Sequence, residues 1–192
     1  MAETLSEWEK MVAGHSYNDS DPELVIMRNR ARSLVRAYNR SDILEGDAPS
    51  PHLKKLLGAM GESVFIEIPF HCAYGVHLHL ADRVYFNAGC AILDCARVDV
   101  GANSMFGPGV QIYTATHPFD PVARASGVES AQAITIGHDV WVGGGAIICP
   151  GVTIGDNSVI GAGSVVTRDI PANVVAVGNP CRVTRKLEIE QV

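Results

Sequence analysis

The sequence predicts a mainly β protein wound as a solenoid, and three observations carry that prediction. Ile136, Val142, Ile148, Ile154, Ile160 and Val166 follow one another at six-residue steps without exception. Glycines stand directly behind four of them (Gly137, Gly143, Gly155, Gly161), and small or β-branched residues recur four places on, at Val140, Ala146, Val152, Ser158 and Ser164. The same step appears upstream in Val100, Phe106 and Ile112, and again in Leu80, Phe86 and Ile92. A period of six suits neither a helix, with about 3.6 residues per turn, nor a free strand, with about two. It fits a coil of three six-residue sides in which the aliphatic residues fill a narrow core and glycine relieves crowding at the corners. Each coil buries its face only against its neighbours, so the stack extends in one dimension.

The residues before the repeats read as helical. Asp21-Pro22-Glu23 combines an N-cap acid, a proline at the first helical position and a carboxylate near the positive end of the dipole. Leu24, Met27, Ala31, Leu34, Val35 and Tyr38 then form one apolar stripe. Arg28, Arg32 and Arg36 lie in a neighbouring row, and Arg32 and Arg36 are expected on a solvated face. Ser50-Pro51 opens a second, short helix running to Leu57 and ended by Gly58 and Gly61. The chain thus divides into a helical segment at 1–62, a solenoid at 63–178 and a tail at 179–192.

The six-step is broken twice. Eight residues separate Ile92 from Val100, an insertion around Asp94-Cys95. Twenty-four separate Ile112 from Ile136, so eighteen extra residues leave the solenoid and return in phase. This excursion, 113–133, contains Pro118 and Pro121, and long loops on rigid scaffolds commonly carry function.

Composition narrows the classes. With 47% hydrophobic and 19% charged residues the chain is an ordinary globular protein, and its net charge of −6 gives no reason to expect a nucleic-acid binder. No apolar run approaches a membrane span, and no basic stretch followed by an apolar one marks a signal peptide. The five cysteines are odd in number and lack CxxC spacing, which suits reduced, buried thiols and a cytoplasmic setting.

His117 is the candidate for chemistry, because it sits just inside the excursion beside a rigid coil that can hold an imidazole in place. Read alone, a histidine before Pro118 is first a turn residue, and it is the rigid neighbouring coil that favours chemistry. Asn87 follows the inward Phe86 and so faces outward, as plain polar surface or as a donor to a developing oxyanion. Tyr85 and Asp94 on neighbouring coils can supply a sugar-binding edge. Trp141 precedes the inward Val142 and faces out, which marks an oligomer contact or a ligand platform. Arg168, Arg182, Arg185 and Lys186 gather near the end of the solenoid as a candidate anion patch in a net-acidic chain. His77 and His79 alternate in "GVHLHL" and with His117 make three possible zinc ligands, although no carboxylate spacing supports a metal site. His71 and His138 are expected at the surface.

The repeat run from Ile134 to Val183, the "IYTATHPFDPVAR" segment and the N-terminal "YNDSDPELVIMRNRARSLVRAYN" resemble the hexapeptide-repeat O-acetyltransferases, nearest to their maltose and galactoside group. The repeats alone are shared by many acyltransferases; the THP loop, Asn87 and the N-terminal segment are more specific. The resemblance implies a left-handed parallel β-helix, a homotrimer with active sites between subunits, and transfer from acetyl-CoA to a sugar hydroxyl without a metal. It places His117 as general base and Asn87 as the residue that stabilises the tetrahedral intermediate. It puts Asp19, Arg28, Tyr85 and Asp94 at or near the sugar. Gly144, Ala162, Thr167, Arg168, Arg182 and Arg185 would hold CoA, with Trp141 along its pantetheine arm. Two positions depart from the galactoside branch: Ala73 replaces a serine and Cys95 an acid, leaving Asp94 as the carboxylate there. Two other readings compete, a zinc carbonic anhydrase of the same fold and a non-catalytic scaffold.

Overall fold

Ile112 lies in parallel register with Ile92 on one side and Ile148 on the other, and Val100 likewise pairs with Leu80 and Ile136. The six-residue step is therefore one side of a three-sided parallel solenoid. A computed structural model describes residues 5–42, 44 and 50–188; parts of the segment 1–62 and the last four residues of the tail 179–192 lie outside the described residues. The first face stacks five strands, among them Leu78–Leu80, Val98–Val100 and Ile134–Ile136. The second stacks seven, including Tyr85–Phe86, Met105–Phe106 and Trp141–Val142, and the third five, including His71–Cys72, Ala91–Leu93 and Gln111–Tyr113.

The inward residues predicted from the period fill one continuous core. Ile92, Ile112, Val142, Ile148, Ile154, Ile160 and Val166 are all 0% exposed. Where the inward residue is aromatic, the coils match it: Phe86 and Phe106 stack at 4.1 Å. The glycines behind the aliphatics are there for space. A Cβ at Gly101 would sit 2.5 Å from the Gly137 carbonyl carbon of the next coil. That is backbone, which cannot step aside.

The excursion returns in phase, since Ile136 comes back beneath Val100. It is itself ordered. Ala115–Thr116 pairs antiparallel with Val128–Ala131, and a short helix, Pro121–Ala125, turns the chain between them. Val128–Ala131 pairs on its other side with Tyr17–Asn18 from the N-terminal segment, so three stretches distant in sequence share one small sheet.

Helix α1 (Glu7–Val12) begins with a capping box between Ser6 and Glu9. Helix α2 (Pro22–Tyr38) starts as predicted, with the Asp21 side chain accepting from the Glu23 N–H. It buries Leu24, Ala31, Val35 and Tyr38 of the stripe. Asn39, at its end, fixes it to the solenoid by bonding both the N–H and the carbonyl of Phe70, at 2.9 and 2.8 Å. Helix α3 (Pro51–Leu56) follows its Ser50 cap. Two limits shift with respect to the sequence reading. Ala59–Met60 already pairs with His79–Leu80, so the solenoid starts before residue 63. In the tail, Arg182–Lys186 pairs antiparallel with Val174–Val177 and covers the last open edge of the second face. All five cysteines are free, with Cys90, Cys95 and Cys181 buried. No described helix is long and apolar enough to cross a membrane.

Candidate active site at one corner of the solenoid

All departures from the six-step in the N-terminal half of the solenoid fall at the same corner, where the third face turns into the first. Eight residues separate Cys72 from Leu80, eight separate Ile92 from Val100, and the excursion leaves between Ile112 and Ile136. Three lengthened turns on successive coils push backbone outward at one edge, and the N-terminal helices pack against it. A second apolar cluster forms beneath, of Met11, Tyr17, Leu24, Tyr74, Cys95, Ala96 and Ala131. It holds the corner rigid independently of the solenoid core.

A cavity of about 500 Å³ opens there, with Asp19, Arg28, Ala73, Cys95, His117 and Glu129 among its lining residues. His117 follows Ala115–Thr116 and is half exposed, at 54%. Its Nε2 lies 3.4 Å from Glu129 Oε1, while Glu129 Oε2 accepts a 2.8 Å hydrogen bond from the Tyr17 hydroxyl. Tyr17 is 2% exposed, so burial fixes the acid that stands beside the imidazole. Arg28 donates to the Tyr74 hydroxyl at 3.0 Å and to the Asp19 carbonyl at 2.7 Å. Those two bonds pin the Asp19 turn to the cavity wall.

Asp94 does not line the cavity. It is 0% exposed, and its Oδ1 accepts from the N–H groups of Ala73 and Tyr74, at 3.0 and 2.8 Å. The lengthened turn at 73–77 leaves the buried Tyr74 amide without a ladder partner, and this carboxylate satisfies it while sharing the Ala73 amide with the Ile92 carbonyl. Its expected place at the sugar-binding edge is therefore corrected: Asp94 supports the cavity from behind. Burial pushes its carboxyl up to about 7. The wall at this point is Cys95, whose thiol burial raises to about 12, so the group there is neutral.

Tyr85 and Asn87 are also elsewhere. Tyr85 lies on the second face, its ring stacked on Phe65 at 6.2 Å and its hydroxyl donating to Glu67 at 3.4 Å. Asn87 sits between Tyr85–Phe86 and Ala91–Leu93, at the corner joining the second and third faces, and its Oδ1 accepts from the Ala88 N–H. One chain thus carries His117 and Asn87 at opposite edges of its third face. Gly144 and Ala162 stack on Asn87's corner, as the Gly163 N–H bonds to the Gly144 carbonyl and the Gly145 N–H to that of Pro108. Trp141 projects from the second face, 54% exposed. Thr167 and Arg168 follow Val165–Val166 at His117's corner, and Arg182 and Arg185 lie on the closing strand. Among the described residues, Arg168, Arg182 and Arg185 make no ion pair.

The three histidines of the zinc reading are not brought together. His77 is 8% exposed and stacks under Trp8 at 4.7 Å, with Nδ1 2.8 Å from the Asp94 carbonyl. His79 projects from the first face beside Asp99. Among the described residues, no three His, Cys, Asp or Glu side chains are grouped so as to hold a metal ion. Glu129, Tyr17 and Tyr74 were not singled out by the sequence. Tyr17 and Glu129 are 112 positions apart, and no local pattern joins them.

Residues 10–61 match the maltose acetyltransferase hexapeptide capping motif, and residues 133–168 match six bacterial transferase hexapeptide repeats. The chain is 45% identical to a maltose O-acetyltransferase of Clostridium difficile. That crystal structure superposes with a TM-score of 0.94 over 97% of this chain and 100% of the other. The chain belongs to the hexapeptide-repeat O-acetyltransferases. A galactoside O-acetyltransferase of Escherichia coli is 39% identical, covering 93% of this chain and 88% of its own. A galactoside acetyltransferase in complex with coenzyme A shares 38% identity with a TM-score of 0.91, over 96% of this chain and 92% of that one. This O-acetyltransferase is accordingly an acetyl-CoA-dependent enzyme, and its fold is that of its relatives.

Proposed function

We propose that this chain moves the acetyl group of acetyl-CoA to a sugar hydroxyl, with His117 as general base. The observation that carries the reading is His117 beside Glu129 at the mouth of the cavity. A sugar hydroxyl is a weak nucleophile at neutral pH, so an imidazole within hydrogen-bond reach takes its proton as it attacks. Such a base supplies on the order of 10²–10⁴-fold. The thioester carbonyl arrives already activated, and no step needs a metal. Glu129 holds the ring and favours the imidazolium that forms, and Arg28 and Asp19 orient the acceptor. Ala73 and Cys95 leave the adjoining wall small and uncharged, which separates this cavity from one that takes a galactoside through a serine and an acid.

Asn87 donates to the carbonyl oxygen as charge develops on it, and it does so from a second subunit. A homotrimer with active sites between subunits is supported by the placement of His117 and Asn87 on different corners of one chain. It is also supported by apolar groups left exposed: Met105 at 49% and Trp141 at 54% on the second face, and Phe119 at 98% and Val122 at 77% on the excursion. In that assembly Trp141, Gly144, Ala162, Thr167, Arg168, Arg182 and Arg185 line the CoA groove, the arginines meeting its phosphates. The free thiols are in keeping with the cytoplasm.

The test is acetyl transfer to maltose, glucose and a galactoside, followed through release of the CoA thiol. His117→Ala is expected to lose at least a hundredfold in kcat with its assembly intact. Full turnover by that variant would sink the reading.

A further inference from the structure

The cavity at His117 does not end at Arg28. It shares Arg32 and Cys72 with a second cavity of about 240 Å³ between α2 and the strand His71–Cys72, bounded also by Arg36, Asn39 and His71. Arg32 and Arg36, expected on a solvated face, are exposed, and together with Arg28, expected near the sugar, they run along one groove. Successive members are one helical turn apart, so Arg36 lies about 12 Å beyond Arg28 along the helix.

The three arginines differ in what they bond. Arg28 is committed to Tyr74 and the Asp19 carbonyl. Arg32 reaches only Asn29 Oδ1, at 3.3 Å. Among the described residues Arg36 has no hydrogen bond and no ion pair. Among the described residues no carboxylate lines the second cavity; those around the first are Asp19 and Glu129, with Asp94 buried behind its wall. Two guanidinium groups four residues apart on a helix repel each other, and among the described residues neither makes an ion pair. Asn39 is held by the Phe70 backbone and forms a fixed wall.

We infer that this second cavity is an anion subsite of the acceptor, and that the preferred acceptor is a glycoside bearing a carboxylate, sulfate or phosphate on the unit next to the acetylated sugar. The inference rests on the acetyl-transfer reading above. The acetylated unit lies between His117 and Arg28, and the anionic group of its neighbour meets Arg32 and Arg36, whose planar forks match such oxyanions.

Matched acceptors separate this from plain sugar binding. Maltitol and maltobionate share a non-reducing glucose and an opened second unit, and differ by a neutral alcohol against a carboxylate; maltose 1-phosphate provides the phosphate arm, and lactitol with lactobionate repeats the comparison for a galactosyl unit. The wild-type chain is expected to show a KM about tenfold lower for the anionic partner. The advantage shrinks as salt rises. Arg36→Ala and Arg36→Gln should remove most of it while the maltitol and lactitol constants stay put, and Arg36→Lys should restore part. Equal KM values for neutral and anionic partners, or a ratio unchanged in Arg36→Ala, overturn the subsite and leave the transferase reading standing. If no acceptor, neutral or anionic, is acetylated, the transferase reading falls. Calorimetric binding of maltobionate to the wild type and to Arg36→Ala then decides the subsite by itself, equal affinity counting against it.

Discussion

His117 Nε2 lies 3.4 Å from Glu129 Oε1, and the other oxygen of Glu129 accepts from the buried Tyr17 hydroxyl. Imidazole, carboxylate and phenol thus come from the beginning and end of the excursion and from the N-terminal segment. The arrangement gives Glu129 two tasks, orienting the ring and offsetting the charge it gains. Glu129→Gln keeps the shape and removes the charge; kcat is expected to fall about 10- to 100-fold with KM for acetyl-CoA unchanged. Tyr17→Phe should cost only several-fold, since it frees one carboxylate oxygen without removing the acid. Steady-state kinetics on both variants checks the order.

Active sites shared between subunits make a prediction that sites within one chain do not. His117→Ala and Asn87→Ala are each expected to be nearly inactive. In the proposed trimer, co-expression would give mixed assemblies in which one interface of the three pairs an intact His117 with an intact Asn87. Random mixing should restore about a quarter of wild-type activity. Recovery no greater than the sum of the separate variants would count against the shared site.

The buried carboxyl of Asp94 ties stability to pH. Its folded value of about 7 lies above the ordinary 3.8, so the folded state holds the proton more tightly than the unfolded chain. The resulting stabilisation is full below about pH 4 and is lost as pH rises through 7, a few kcal/mol at about 1.4 kcal/mol per unit. Asp94→Asn keeps an oxygen for the Ala73 and Tyr74 amides and cannot ionise. Thermal unfolding at pH 5 and pH 8 should show the wild type losing more than the variant across that interval; parallel curves would contradict the assignment.

Gly101 tests the close packing of coils. A methyl group there meets the Gly137 carbonyl carbon and the His138 nitrogen at 2.5 Å. Gly101→Ala should destabilise by about 1–3 kcal/mol, read from denaturant midpoints, with the assembly otherwise intact. An unchanged midpoint would mean that adjacent coils slide apart at little cost.

The repeat was legible because its cause is local. An inward aliphatic, a corner glycine and a small residue recur within each side, and every coil repeats the rule, so Ile112 and Ile136 could be matched across the excursion. The helix start at Asp21-Pro22-Glu23 was legible for the same reason. Asp94 shows where such reasoning stops. Alternation describes residues on a strand, and Asp94 sits in a lengthened turn where the Tyr74 amide, without a ladder partner, and the neighbouring Ala73 amide draw its side chain inward. Glu129 shows the converse, a polar residue in an aperiodic loop that becomes informative only through its neighbours.

By itself, then, the sequence determined the solenoid, its phase, its helical cap and the loop that bears His117, all set by spacing along the chain. Only the tertiary structure decided which corner becomes the cavity, that Glu129 and Tyr17 support the histidine, that Asp94 stands behind the wall, and that Arg32 and Arg36 line a groove. Those contacts join residues tens to more than a hundred positions apart. They depend on how three lengthened turns, a small antiparallel sheet and a helix pack together, which no periodicity along the chain records.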